Sequence, residues 1–163
     1  ATIWALWSQA THREHWYAAL ALLQHRAYAG WREPALLPLL RRLIETGAWW
    51  DVVDEIATHV VRGLLLDHRA ELAPVLRAWS RDADPWIRRS AMLAQVGAKD
   101  RTDPALLAEL LTPNIGHPDF FSRKAIGWAL RDYARTAPDW VRAYVAAHPD
   151  LSGLSRREAL KHL

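Results

Sequence analysis

The chain of 163 residues contains 21 Lys and Arg against 18 Asp and Glu, so its formal net charge at pH 7 is only +3. It has no cysteine, which excludes disulfide bonds and thiolate chemistry and is typical of an ordinary cytoplasmic protein. No apolar run approaches the roughly 18 residues that span a bilayer, so we expect no membrane partner.

Leu, Ala and Trp recur at helical spacing along almost the whole chain, and no segment alternates convincingly with the period of a strand. Cap and stop signals divide this pattern into helices. Thr11 with Glu14 is typical of a capping box at the start of a helix, and Gly30 provides a matching stop. Pro34 suits the first turn of the next helix, and Gly47 suits its end.

Later segments repeat the same signals. Asp84-Pro85 and Asp103-Pro104 each place a cap residue before a proline at the first helical position. Ser155 with Glu158 indicates a second capping box, for a short C-terminal helix. Together the signals predict four helix pairs, at 11–30 with 34–46, 49–66 with 69–80, 85–97 with 104–112, and 119–136 with 138–147.

The first helix of each predicted pair carries a large aromatic residue at a corresponding position. These residues are Trp16, Trp50, Trp86 and Phe121, separated by 34, 36 and 35 positions. Helix pairs of this length are typical of an α-solenoid, whose curved stack offers an extended concave surface. We therefore predict an all-α fold in one domain over residues 1–163: HEAT-like helical repeats, about four helix pairs plus a short C-terminal helix.

One repeat departs from this pattern with an acid. Four positions after the shared aromatic, the second repeat has Asp54 where the others have Leu20, Ser90 and Ala125. Trp50 and Asp54 are four residues apart, so both side chains point the same way on a helix. Such departures are where function is expected. Structural roles stay open. Trp50 could be core, and Asp54 could be a first-turn acid favoured by the helix dipole or the far end of a capping arrangement with Asp51.

A basic helix face lies near the C-terminus. From position 120 onward there are eight Lys or Arg against four Asp or Glu, and Trp128 lies among these cations. Arg outnumbers Lys by 18 to 3 in the whole chain, which suits planar contact with phosphate, although biased genome composition is an alternative explanation. The candidate phosphate contacts on this face are Lys124, Arg131 and Arg135, and Arg88 and Arg89 of the preceding repeat are two further candidates.

Other chemistry has weaker support. The eight His residues lack the spacing of a metal site, and HExxH, GxSxG and glycine-rich phosphate motifs are absent, although a Ser-His-Asp triad stays open. We therefore expect a protein that needs neither metal nor cofactor. Five other tryptophans are interpreted as core or inter-helix packing, namely Trp4, Trp7, Trp31, Trp79 and Trp140.

Four segments resemble the bacterial AlkD-type DNA alkylation repair glycosylases: WWDVVDEIA at 49–57, WIRRSAML at 86–93, FFSRKAIGWALRDYA at 120–134 and LSGLSRREALKH at 151–162. The resemblance implies duplex DNA in the concave face and hydrolytic release of N3- and N7-alkylated purines without base flipping. It implies that Asp54 is the catalytic carboxylate, with Trp50 and Trp128 flanking the damaged nucleotide. It also implies DNA contacts by Arg89 and Arg131 beside the lesion. Members usually carry further helices upstream of the position at which this sequence starts.

Two other functions stay open at this point. One is a non-catalytic helical-repeat protein that binds distorted or branched DNA. The presence of Asp54 disfavours this function, because an anion weakens binding to phosphate. The other is a protein-interaction scaffold, which is the commonest use of α-solenoids. The concentrated Arg and Lys residues disfavour this function. We expect a cytoplasmic bacterial monomer, associated with the nucleoid when bound, whose partner is double-stranded DNA with alkylated purines.

Overall fold

The computed structural model describes residues 2–163, and within that range helices are joined by short turns without any strand. A π-helical segment, Ile56–Val61, joins the fourth and fifth helices into one continuous helix. Short 3-10 segments lie at Arg26–Trp31, Pro34–Leu36, Lys99–Arg101 and Thr112–Asn114. The α-helices are α1 (Thr2–Ser8), α2 (Arg13–Gln24), α3 (Leu37–Gly47), α4 (Trp50–Glu55), α5 (Arg62–Asp67), α6 (Arg69–Trp79), α7 (Pro85–Leu93), α8 (Pro104–Leu111), α9 (Phe120–Ala134), α10 (Pro138–Ala147) and α11 (Gly153–Ala159).

The helices form two layers. In the first layer α2, the continuous helix of α4 and α5, α7, α9 and α11 lie side by side, each in contact with the next. The second helices of the pairs, α3, α6, α8 and α10, pack against this row. Two clusters of buried apolar side chains lie between the layers, one in each half of the stack. This arrangement confirms the predicted all-α fold of stacked helix pairs.

Contacts between neighbouring repeats join residues about one repeat apart. Arg89 on α7 bonds to Asp54 on α4, a separation of 35 positions. Lys124 on α9 bonds to Glu158 on α11, a separation of 34 positions. The repeat length read from the aromatic residues is therefore also the spacing of the lateral contacts.

Two of the predicted helix caps are confirmed and two are wrong. The side chains of Asp84 and Asp103 accept backbone amides at the starts of α7 and α8. The predicted cap at Thr11 does not form, because α2 begins at Arg13 after His12 without a side-chain cap. Ser155 is likewise not the cap of α11, because Ser152 accepts its amide one turn earlier.

Two predicted helices differ from the observed ones for local reasons. The helix predicted to continue to Gly30 ends at Gln24, because His25 adopts an extended backbone and its ring accepts the amide of Ala27. The helix predicted over 49–66 widens into its π segment. In this segment the Thr58 hydroxyl donates to the backbone carbonyl of Asp54, an interaction that bends helices. Such π turns often occur at functional sites.

The tryptophans assigned to packing follow that assignment with one exception. Trp7 and Trp79 are buried, Trp140 stacks on Tyr144, and Trp4 lies under the guanidinium of Arg42. Trp31 is 79% exposed, because the break after α2 places it at the end of a 3-10 segment on the surface. Among the described residues, no helix is both long and apolar enough to cross a membrane.

Candidate functional site

The first turns of α4 place one tryptophan and one carboxylate together. Trp50 begins α4 and is 47% exposed, which a core role would not allow. Asp54 lies four residues later on the same side of the helix, and its side chain is only 13% exposed. An aromatic face open to solvent therefore lies beside a largely buried acid.

Asp54 is held by a two-pronged ion pair with Arg89 of α7. The Arg89 Nε and Nη2 atoms donate to the two carboxylate oxygens of Asp54 at 2.7 and 2.8 Å. The remaining Nη1 atom donates at 2.6 Å to the backbone carbonyl of Phe121, in the first turn of α9. Arg89 is thus buried and joins three neighbouring helices of the first layer through one guanidinium.

Burial determines the protonation behaviour of the acid. Removal from water raises the pKa of Asp54 above the ordinary aspartate value, the paired Arg89 limits that rise, and the nearby negative charge of Asp51 adds to it. A carboxylate with a raised pKa takes up a proton more readily than an exposed one. That property suits a group that orients or deprotonates water.

Four aromatic rings gather next to this pair at the N-terminal ends of three helices. The ring of Trp49 lies 6.0 Å from that of Trp86 and 5.6 Å from that of Phe121, and the last two are 5.0 Å apart. Phe120, which is 52% exposed, packs edge-on against Phe121. Trp49 therefore makes the ring contacts with Trp86 and Phe121, whereas Trp50 is half exposed to solvent.

The predicted basic face of α9 is bridged by an acid from α11. Lys124 donates to one carboxylate oxygen of Glu158 at 3.2 Å, and Arg131 donates to the other. Trp128 is partly buried and lies between these two cations along the helix. The spacing of Glu158 from Ser155 predicts a capping box, whereas in the structure Glu158 bridges Lys124 and Arg131.

The other two candidate cations have different surroundings. Arg88 donates to the backbone carbonyls of Asp82 and Ala83 at 2.6 and 3.1 Å, and its Nη2 atom lies 3.2 Å from the ring of His117. Arg135 is exposed just beyond the end of α9. Arg88 is therefore held at the start of α7, whereas Arg135 is open to solvent.

Comparison with known proteins agrees with this architecture. The sequence profile of the family described as "DNA alkylation repair enzyme" matches residues 1–163. The chain belongs to this family. A solved structure described as a "Predicted DNA alkylation repair enzyme from Enterococcus faecalis" is similar, with a TM-score of 0.88 and 30% sequence identity, over 99% of this chain and 73% of that one. Among curated proteins, none matches significantly.

In this member of the DNA alkylation repair enzyme family, six of the eight predicted site residues fall into two groups joined by α9, and Arg88 and Arg135 lie outside both. The first group is Asp54 with Arg89, next to Trp50 and the aromatic rings. The second is Lys124 and Arg131 with Glu158, beside Trp128. The first turn of α9 connects them, because Phe121 accepts from Arg89 and Lys124 follows three residues later.

Asp51 of α4 has a structural role in this family member. The Tyr17 hydroxyl donates to its carboxylate at 2.6 Å and Arg13 pairs with it, which joins α2 to α4. The hydrogen bond from Arg13 and that from Tyr17 lower the pKa of Asp51 despite partial burial. Across residues 2–163, no group of three or more His, Asp or Glu side chains is placed to hold a metal ion.

Proposed function

We propose that this protein is a DNA glycosylase that hydrolyses the N-glycosidic bond of cationic N3- or N7-alkylated purines in duplex DNA. The observation that carries the proposal is the largely buried carboxylate of Asp54 beside the half-exposed ring of Trp50. Membership in a family of DNA alkylation repair enzymes supports the same reaction class. The reaction needs no metal or cofactor, and the enzyme acts as a monomer.

The chemistry needs an anion near the sugar. A purine alkylated at N3 or N7 carries a positive charge, so its bond to C1′ is already weak, and its departure leaves an oxocarbenium-like sugar. The Asp54 carboxylate stabilises that cation and orients the attacking water. Arg89 keeps the carboxylate in one orientation, because it occupies both oxygens with a two-pronged pair.

The aromatic and basic residues complete the proposed site. Trp50 and Trp128 present π faces to the cationic nucleotide, an attraction of about 0.5–2 kcal/mol for each contact. Four of the candidate cations neutralise phosphates and fix the position of the protein along the duplex without reading sequence, namely Arg88, Lys124, Arg131 and Arg135. Arg89 is buried and all three of its guanidinium nitrogens donate to Asp54 or Phe121, so it acts by holding Asp54 and not by the phosphate contact expected from the sequence.

Substrate selectivity tests the proposal. Because the charge and lability of the lesion drive its release, the protein has no need to flip the base into a pocket. We expect release of 7-methylguanine from a duplex and no release of uracil, whose base is neutral, from the matched duplex. Efficient uracil release would refute this mechanism, and absence of release from both duplexes would refute the glycosylase assignment.

The second candidate function is binding of distorted or branched DNA without catalysis. One observation favours it: Arg89 occupies both oxygens of Asp54, which leaves the carboxylate partly neutralised before DNA arrives. Binding to a four-way junction tighter than to a linear duplex, with no release of 7-methylguanine, would support this candidate over the glycosylase.

A further inference from the structure

The bridge between α9 and α11 has a geometry that the proposed chemistry does not require. Lys124 and Arg131 are seven residues apart, about 10 Å along the helix, yet one carboxylate contacts both. The side chain of Glu158 is 18% exposed, less than that of either cation. A partly buried acid is therefore fixed between two cations that are candidates for phosphate contacts.

Close packing of the two helices brings Glu158 to this position. A side chain on Gly127 would place its Cβ 2.5 Å from the Cβ of Glu158, so α11 can lie this near α9 only because the residue is glycine. Ser155 adds a hydrogen bond of 2.9 Å to the backbone carbonyl of Arg123. The carboxylate is thus delivered by a rigid contact between helices, not by a flexible surface side chain.

Glu158 carries its negative charge at neutral pH. Burial raises the pKa of Glu158, but hydrogen bonding to Lys124 and the charges of Arg131 and Lys161 outweigh burial, so the pKa lies below the ordinary value. The pair of α9 cations with its acid therefore has a net charge of about +1 instead of +2, and a phosphate near these cations meets an anion already in place.

We propose that Glu158 is a positioning residue that fixes Lys124 and Arg131 on either side of Trp128 and reduces their attraction for undamaged DNA. This inference rests on the proposed function, since it assigns the cations to the DNA backbone. Fixed cations hold a phosphate in one register beside the lesion, and their partial neutralisation limits unspecific binding. Glu158 thereby lowers the affinity for undamaged DNA and fixes the position of the bound phosphate.

Two substitutions separate the charge of Glu158 from its position. Glu158→Gln removes the charge and keeps the length, so binding to an undamaged duplex should tighten about threefold to tenfold at 0.1 M salt. The slope of log affinity against log salt should steepen by about 0.9. Glu158→Asp keeps the charge but cannot bridge both cations, so affinity should stay at the parent value. Both variants should release 7-methylguanine about tenfold more slowly from the saturated complex.

A matched control removes an equal charge elsewhere. Glu109 pairs with Arg77 at 2.6 Å in the second layer, and both side chains are nearly half exposed, so Glu109→Gln should change neither binding nor release. Each variant is checked for folding by its melting temperature. If Glu158→Gln fails to fold, Glu158→Asp still tests the positioning role through the rate of release at parental affinity.

Several results would overturn the inference. Weaker binding or an unchanged salt slope in folded Glu158→Gln would show that the acid does not restrain the cations. Parental release by Glu158→Asp would show that bridging has no role in positioning. Failure of the proposed function is separate, because it appears as absence of 7-methylguanine release by the parent protein, whereas the salt slopes are measured on undamaged DNA.

Discussion

Removal of Arg89 should leave Asp54 as a buried acid without a partner. In Arg89→Met the two hydrogen bonds to Asp54 and the one to Phe121 are lost, while the apolar side chain keeps most of the volume. Breaking a buried ion pair costs about 3–5 kcal/mol. For a chain of this size, each kcal/mol lowers the melting temperature by about 2–4 °C, so we expect a decrease of roughly 6–20 °C at neutral pH.

The pH dependence of the same variant gives a sharper test. Without Arg89 the pKa of Asp54 rises further, because burial already raises it and the opposing guanidinium is gone. Between the ordinary and the raised pKa, the folded protein binds a proton that the unfolded chain does not. The free energy of unfolding of the variant must therefore fall as the pH rises through that window, and the loss relative to the parent should be smaller near pH 4.5 than near pH 7.5.

Urea unfolding at both pH values measures these free energies, and a double variant provides the control. Asp54→Leu added to Arg89→Met replaces the ion pair with two apolar side chains, so most of the lost stability should return, leaving a deficit of about 1–2 kcal/mol. A loss below about 1 kcal/mol in Arg89→Met, or an equal loss at both pH values, would refute the reasoning.

Three further predictions concern catalysis and DNA binding. Release of 7-methylguanine by the parent should decline as the pH falls through the raised pKa of Asp54, since only the carboxylate stabilises the sugar cation; a pH-independent rate would contradict this. Trp50→Ala should slow release about twofold to thirtyfold with little change in melting temperature, whereas Trp79→Ala, at a residue 5% exposed, should cost about 3–5 kcal/mol of stability. Arg135→Ala should reduce the salt slope of DNA binding by about 0.9 without loss of stability, and an unchanged slope would remove Arg135 from the interface.

Local signals predicted much of the fold. Asp84 and Asp103 cap helices as expected, because an aspartate before a proline at the first helical position satisfies backbone amides by short-range contacts alone. The repeat length was readable because each helix pair buries the same apolar face against its neighbour. The break at His25 and the π segment could not be predicted from the sequence, because both depend on side chains that bond to particular backbone groups.

The candidate site was harder to predict because its pairs join different helices. Asp54 and Arg89 were each recognised, yet their pairing follows only from lateral contact between neighbouring repeats. Glu158 was assigned to a local cap, although it lies 34 positions after Lys124. The signal was present in the spacing: oppositely charged residues separated by one repeat length are candidates for contact in a solenoid.

The most direct measurement of the central claim is release of 7-methylguanine from a duplex under single-turnover conditions, with chelator present, by the parent, Asp54→Asn and Asp51→Asn. Asp51 lies one turn earlier on the same helix but pairs with Arg13 and Tyr17, so its substitution is the matched control. We expect release by the parent and by Asp51→Asn, and a loss of several orders of magnitude in Asp54→Asn with DNA binding retained. Comparable release by Asp54→Asn would contradict the account.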